Sequence, residues 1–263
     1  MASSKVAGRV VIVTGASAGI GRDTATRLRD HGAVVVGAAR DVDRLQQVDG
    51  IDAVRCDVAS PEDRAGLVAH TLQVHGRVDA LVNNAGLGWM GSFEEMPAER
   101  IEYLYDVNVV GLIDLCRLVL PDMLARRRGH IVNVSSVAGY VALPPNTVYS
   151  STKFAVNGFT EGLRREMWHR GVKVHQINPG PVKTEWAPRA KGFDPTPGST
   201  EQRDATGVSA GAVARQIERC LTSPWPRVAA VPRVLGVARL ASLVGVREAM
   251  DVAGRFAVPK SHR

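Results

Sequence analysis

Short apolar runs rich in β-branched residues alternate along the chain with longer segments whose apolar positions recur at helical spacing. The runs Val10–Val13, Val34–Gly37, Ala53–Cys56, Ala80–Val82, Ile131–Val134, Val172–Ile177 and Val228–Val231 have the length and composition of buried strands. The segments Gly19–His31, Pro61–His75, Pro97–Arg127, Val148–Arg170 and Ser209–Leu221 follow the helical period. This alternation predicts βαβ units on a parallel sheet. Strands that are apolar on both faces need cover on both. Right-handed crossovers then give a doubly wound α/β domain with a central, mainly seven-stranded parallel sheet and helices on both faces.

Regularity breaks at Pro188–Val208, which holds Gly192, Pro195, Pro197, Gly198 and Gly207. A loop of that length in a compact domain is usually functional or disordered, and residues 186–208 are expected to form a lid over the substrate. Beyond the last strand, Val234–Gly254 reads as short amphipathic helical structure. The expectation is one domain with a core at 8–231 and a C-terminal helical extension at 234–263, packed on the domain, on a partner subunit or on a membrane surface.

Composition narrows the class. The chain has 263 residues, of which 45% are hydrophobic and 22% charged, an ordinary balance for a protein with a sizeable core. The net charge of +7 is scattered and no aromatics interleave with it, which argues against a nucleic-acid partner. Its densest run, Arg126-Arg127-Arg128 before Gly129, reads as a helix C-terminus, where cations complement the dipole. Cys56, Cys116 and Cys220 lie far apart and in no CxxC pair, so neither a disulfide framework nor a metal site is expected. Residues Met1–Lys5 lead almost directly into the first strand without the apolar core of a signal peptide, and no run reaches the ~18 apolar residues of a spanning helix. A cytoplasmic location follows as an expectation.

The candidate chemistry sits where the predicted strands end. After the first strand comes Thr14-Gly15-Ala16-Ser17-Ala18-Gly19-Ile20-Gly21, and a helix starts at once. Glycines there permit a tight turn and close backbone approach to a pyrophosphate, and the helix N-terminus offers free N–H groups. After the second strand, Ala39 stands where an acid for a ribose 2′-hydroxyl is expected, and Arg40 follows, suited to a 2′-phosphate. That points to NADP(H). Asp41 is adjacent and serves NAD(H) instead if the register shifts, and Arg40 as a mere strand-edge cap is the plainer alternative. Asp57, followed by Val58, is placed to accept from an adenine amino group or to cap the turn before Ser60-Pro61. Asn83-Asn84-Ala85-Gly86 ends the fourth strand, either as ligand space or as satisfied buried backbone. Tyr149 and Lys153 are four apart on one helix face, an arrangement in which an ammonium lowers a phenol pKa and tunes it for proton transfer to a carbonyl oxygen. Ser136, with Ser135 as rival, follows the strand Ile131–Val134 at the same sheet edge.

Together these motifs resemble the short-chain dehydrogenase/reductase family, in its NADP-preferring branch, over about Gly8 to Val231. The resemblance adds Asn108 and Asn178-Pro179-Gly180 with Thr184. It implies a Rossmann fold and an oxidoreductase that interconverts a carbonyl and an alcohol, with a Ser136, Tyr149, Lys153 and Asn108 tetrad. Tyr149 is then the general acid/base, Ser136 holds the substrate oxygen, Lys153 binds the nicotinamide ribose, and Asn108 holds a relay water. Gly15, Ser17, Ala18, Gly19, Ile20, Gly21, Arg40, Asp57, Val58, Asn84, Ala85, Gly86, Pro179, Gly180, Val182 and Thr184 are the implied cofactor contacts, with Tyr149 and Lys153. Ala18 replaces a basic residue found there in some relatives, so phosphate selectivity rests mainly on Arg40, with Arg22 or Arg44 as possible helpers. Trp89, Val141, Leu143 and Trp186 are expected to line an apolar pocket beside Ser136, which suits a hydrophobic ketone or secondary alcohol. The two Trp residues covering core or an oligomer interface is the alternative. By resemblance the chain forms a homodimer or homotetramer through Pro97–Arg127 and Val148–Arg170. A non-catalytic cofactor sensor is the rival of another class; it has no need of a proton relay.

Overall fold

A computed structural model describes residues 5–142, 144–184, 190 and 207–236. The order is β1 (Val10–Thr14), α1 (Gly19–Asp30), β2 (Val34–Ala39), α2 (Val42–Gln46), β3 (Asp52–Arg55), α3 (Pro61–His75), β4 (Ala80–Asn83), α4 (Ala98–Tyr105), a π-helical turn (Asp106–Val110) and α5 (Gly111–Ala125). Then follow β5 (Gly129–Val134), a 3-10 turn (Val137–Gly139), α6 (Thr147–Glu166), β6 (Val172–Pro179), β7 (Val182–Lys183), β8 (Val208–Ser209), α7 (Ala210–Leu221), β9 (Val228–Val231) and a second 3-10 turn (Arg233–Gly236). The main sheet has seven parallel strands in the order β3-β2-β1-β4-β5-β6-β9, and β7 pairs with β8 apart from it. The order reverses between β1 and β4, and the two connections leave to opposite sides, which opens a crevice at their C-terminal ends.

The pleat divides the apolar residues between two cores. Val10 and Ile12 of β1 face a core covered by α3, α5 and α6, through Leu67, Leu115 and Val156 among others. Val11 and Val13 face the core of α1 and α7, with Leu28, Val213 and Ile217. Each such side chain, removed from water, contributes ~1.5–3 kcal/mol. Local signals set the helix ends. Ser60 accepts from the Asp63 amide at 3.1 Å, Pro61 opens α3, and Gly76 closes it in the left-handed region at φ 74°. Arg126 ends α5 as its sequence suggests and pairs with Asp122 and Asp79.

The expected strands and helices are found with shifts of one or two residues at several ends; α6 stops at Glu166, four residues before the expected Arg170, and two features differ more. The segment Pro97–Arg127 is not one helix: the π turn separates α4 from α5. Two tertiary constraints meet there. A Cβ on Gly111 would stand 2.2 Å from the Val58 carbonyl oxygen, and the Asn108 amide is tied to both backbone groups of Leu87. The short helix α2 was not anticipated; Asp41 caps it by accepting from the Arg44 amide at 3.0 Å. Of the expected lid, Ala190 is described and buried, and 207–209 lead into α7. The rest of the lid, and the extension from 237 onward, lie outside the described residues. Among the described residues no helix is long and apolar enough to cross a membrane.

Candidate active site

The crevice is built first from backbone. Gly15 has φ 66° and Gly19 φ 51°, conformations that L side chains rarely adopt. A Cβ on Gly21 would lie 2.1 Å from the Gly15 carbonyl oxygen, so helix α1 approaches the turn as closely as only glycine permits. Ala18 occupies the N-cap of α1 and supplies no side-chain cap, whereas Ser60 and Ser209 cap α3 and α7. The first amides of α1, at Gly19 and Ile20, are thus left for an anion, with Ser17 beside them. Thr14 clasps the neighbouring strand end: its hydroxyl oxygen accepts from the Asn84 and Ala85 amides at 3.0 Å each. Asn84 donates to the Thr14 carbonyl at 2.9 Å. Thr184 lies against Gly19, since a Cβ there would meet its Cγ2 at 3.1 Å, and Val182 is held by pairing with Val208. This cradle of close-packed glycines and uncapped amides fits the pyrophosphate of a dinucleotide.

Farther along the rim, Arg40 is exposed and donates from Nη1 to the Tyr103 hydroxyl at 2.6 Å. Tyr103 in turn donates to Asp57 Oδ2 at 3.2 Å, and Asp57 Oδ1 accepts from the Ala59 amide at 3.0 Å. Asp57 thus caps the turn with one oxygen, as one of its two readings has it, and meets Tyr103 at the rim with the other. Val58 is buried beside it, and its carbonyl accepts from Arg64 at 2.7 Å. Asn83 proves structural: it is buried and donates to Asn133 Oδ1 at 3.0 Å.

Ser136, Tyr149 and Lys153 come together at the ends of β5 and β6. Ser136 caps the 3-10 turn through the Ala138 amide at 3.1 Å and lies 3.5 Å from the Pro179 carbonyl oxygen. Its hydroxyl hydrogen bonds with the Tyr149 phenol. The rival Ser135 points away, donating to the Lys153 carbonyl at 3.2 Å. Lys153 is 5% exposed, donates from Nζ to the Val134 carbonyl at 3.2 Å, and stands over the Tyr149 ring, 5.7 Å from its centroid. A Cβ on Gly86 would sit 3.7 Å from that Nζ and 3.3 Å from Asn108 Oδ1, so the Asn84–Gly86 turn forms the facing wall. Gly180 makes room for Leu235, whose Cδ1 a Cβ would meet at 2.4 Å.

The charge balance corrects one expectation. Burial pushes the Tyr149 phenol up to about 12, offset only in part by the hydrogen bond with Ser136. Burial likewise pushes Lys153 down to about 8. The amine lies over the ring rather than at its oxygen, so desolvation outweighs the ammonium–phenol attraction that the spacing suggested. The Asn108 amide is also committed: Oδ1 accepts from the Leu87 amide at 2.8 Å, and Nδ2 donates to the Leu87 carbonyl at 3.0 Å and to Thr152 Oγ1 at 3.1 Å.

Comparison with known proteins decides the family. The short chain dehydrogenase family model matches residues 9–192. The chain belongs to the short-chain dehydrogenases. An uncharacterized oxidoreductase of Staphylococcus saprophyticus is 34% identical over 229 residues, covering 84% of this chain and 93% of its own. A short-chain dehydrogenase/reductase from Burkholderia phymatum, solved in complex with NAD, superposes with a TM-score of 0.77 at 28% identity over 90% of this chain and 93% of that one. A metagenomic short-chain oxidoreductase in complex with NADP superposes with a TM-score of 0.73 at 30% identity, covering 86% and 97%.

In this short-chain dehydrogenase, Trp89 lies with Leu87, Tyr105 and Tyr149 against the small apolar cluster of Met96, Leu104 and Val148. Its indole nitrogen is buried and has no hydrogen-bond partner among the described residues. Val141 follows the 3-10 turn and is partly exposed. Leu143 and Trp186 lie outside the described residues. Among the described residues no cluster of three or more metal-ligating side chains occurs. Sequence reasoning missed Tyr103. The available signal was an aromatic just upstream of Asn108 in a chain with 5% aromatics.

Proposed function

We propose that the protein is an NADP(H)-dependent oxidoreductase that interconverts a hydrophobic ketone or aldehyde and its alcohol, with Tyr149 as general acid/base. The observation that carries this reading is the meeting of Ser136, Tyr149 and a buried Lys153 beside the glycine cradle. When bound, the cofactor would supply or take the hydride. Gly15–Gly21 and Thr184 would hold the pyrophosphate side, Asp57 and Val58 the adenine, and Lys153, Asn84–Gly86 and Pro179–Gly180 the nicotinamide side.

The proton belongs to the protein. With the phenol pushed up to about 12, Tyr149 keeps its proton at neutral pH and is ready to donate it to a carbonyl oxygen. Ser136 holds that oxygen through its hydroxyl and stabilises the charge growing on it. Lys153, pushed down to about 8, titrates near neutrality and suits a relay that restores the phenol's proton by way of the Asn108 turn. The Trp89 cluster beside Tyr149 supports an apolar substrate.

Support for NADP(H) over NAD(H) comes from two neighbours. Arg40 is exposed at the end of β2, and Asp41, the acid that an NAD(H) site would need, is engaged in capping α2. Assembly into a dimer or tetramer through 97–127 and 148–170 goes with this reading, and Val110 in the first of these segments is apolar and 47% exposed. Fluorescence titration of the purified protein with NADPH and NADH, followed by a screen of hydrophobic ketones, tests the proposal. Tighter NADPH binding, reversed in Arg40→Asp, is the expected result. Failure to bind either nucleotide overturns the reading.

A further inference from the structure

We propose that Tyr103 is a specificity-positioning residue that keeps the Arg40 guanidinium ready for the 2′-phosphate of NADP(H). The inference deepens the NADP(H) reading and rests on it. Tyr103 lies on α4, and its hydroxyl joins two rim residues contributed by other elements: it accepts from Arg40 Nη1 at 2.6 Å and donates to Asp57 Oδ2 at 3.2 Å. A phenol has one proton to give and lone pairs to receive, so its accepting and donating sides are assigned. The ring is steadied as well, because the Arg100 guanidinium stands over it, 5.7 Å from the centroid.

Two consequences follow for Arg40. An exposed arginine at a strand end samples many rotamers, and binding a phosphate must freeze one of them. Tyr103 has already selected one. Its bond uses a single Nη1 hydrogen, and among the described residues Arg40 has no other hydrogen bond. The opposite edge of the fork, Nε and Nη2, stays open for two phosphate oxygens. The phenol oxygen is also a spacer. Asp57 is the anion on its far side, and a guanidinium released from Tyr103 would fall onto that carboxylate as a direct ion pair and lose the donors that a phosphate needs. Tyr103 therefore keeps the cation near the rim without letting it be neutralised there.

The test measures dissociation constants of NADPH and NADH by fluorescence for the wild type, Tyr103→Phe, Arg40→Ala and the double variant, with thermal melting of each as a fold control. Tyr103→Phe keeps the ring under Arg100 and removes only the hydroxyl. The expected result is a loss of about five-fold in NADPH affinity, the weight of one hydrogen bond. NADH affinity should hold within about two-fold, and no further NADPH loss should appear when Tyr103→Phe is added to Arg40→Ala. Equal weakening of NADPH and NADH would overturn the proposal, since Tyr103 would then act on Asp57 or on the fold. Unchanged NADPH binding in Tyr103→Phe, with Arg40→Ala still harmful, would overturn it and leave the NADP(H) reading standing. A wild type without preference for NADPH, indifferent to Arg40→Ala, would remove the NADP(H) reading itself.

Discussion

At the N-terminal ends of the strands, Asp79 is 6% exposed and accepts from the Val10 amide at 3.0 Å, from Arg77 at 2.8 Å and from Arg126 at 3.0 Å. Arg126 is shared with Asp122, which also accepts from the Val78 amide at 2.9 Å. These partners hold the Asp79 and Asp122 carboxyls below the usual carboxylate range despite burial. At the C-terminal ends, Lys153 is buried with a backbone carbonyl for company and no carboxylate among the described residues, and Tyr149 is half-buried beside a neutral hydroxyl. Both are pushed away from their charged forms, to about 8 and about 12. One rim compensates desolvation with opposite charge; the other leaves it uncompensated. The first arrangement holds strands to helices. On the proposed mechanism, the second keeps two groups able to gain or lose a proton when a reacting oxygen arrives.

Two substitutions separate the rims. Tyr149→Phe removes the proton donor and leaves the ring in its cluster. Turnover should fall by about three orders of magnitude, within the range of general acid/base catalysis, with the melting temperature unchanged or raised because a buried hydroxyl is gone. Retained turnover in steady-state assays would mean that the proton comes from elsewhere. Asp79→Ala should do the opposite. It takes the carboxylate from Arg77, leaves Arg126 with Asp122 alone and orphans the Val10 amide, so unfolding by urea should show a loss of about 2 kcal/mol. Turnover per folded molecule should stay close to wild type. A variant that lost activity while keeping its stability would show that the two rims are not independent.

The contrast was only half readable in the amino-acid sequence. β-Branched runs and helical spacing are local, so all seven main strands were foreseen. The Ser136 position was legible too, because its spacing to Tyr149 is carried in the chain and the geometry agrees. The π turn at Asp106–Val110 was not, since it answers to the Val58 carbonyl and to the Asn108–Leu87 clamp, both distant in sequence. Tyr103 escaped for the same reason, its partners lying 46 and 63 residues away. The phenol pKa was misjudged because spacing reveals that Lys153 is near but not how far packing removes the amine and the phenol from water. Burial is a property of the packed layers, and at this site it outweighs the pair.

A third buried arrangement, inside the sheet, sharpens the comparison, because it is neither paired with charge nor left open. His130 of β5 and His175 of β6 lie with near-parallel rings, and His130 Nδ1 is 3.1 Å from His175 Nε2. The Arg227 amide donates to His175 Nδ1 at 3.1 Å, so that nitrogen carries no proton. His175 then donates from Nε2 to His130 Nδ1, and His130 has its remaining N–H for the Cys220 backbone. Every position in the chain is filled by two neutral rings, and one more proton has no acceptor to point at. Burial accordingly pushes His130 down to about 3 and His175 well below its ordinary value. In the unfolded chain both take up protons below about 6.5. The unfolded state therefore binds more protons as pH falls from there, and stability should drop by up to about 1.4 kcal/mol per pH unit for each histidine until the folded-state values are reached. Above about pH 7 the two should contribute no slope. His130→Gln supplies an acceptor for His175 and a donor for Cys220 without a titrating ring. Urea unfolding between pH 7.5 and 5 should show a slope shallower by about one proton in this variant, with wild-type turnover at neutral pH. An identical slope would mean that the pair is not the acid-labile element and that its neutrality in the fold is incidental to stability.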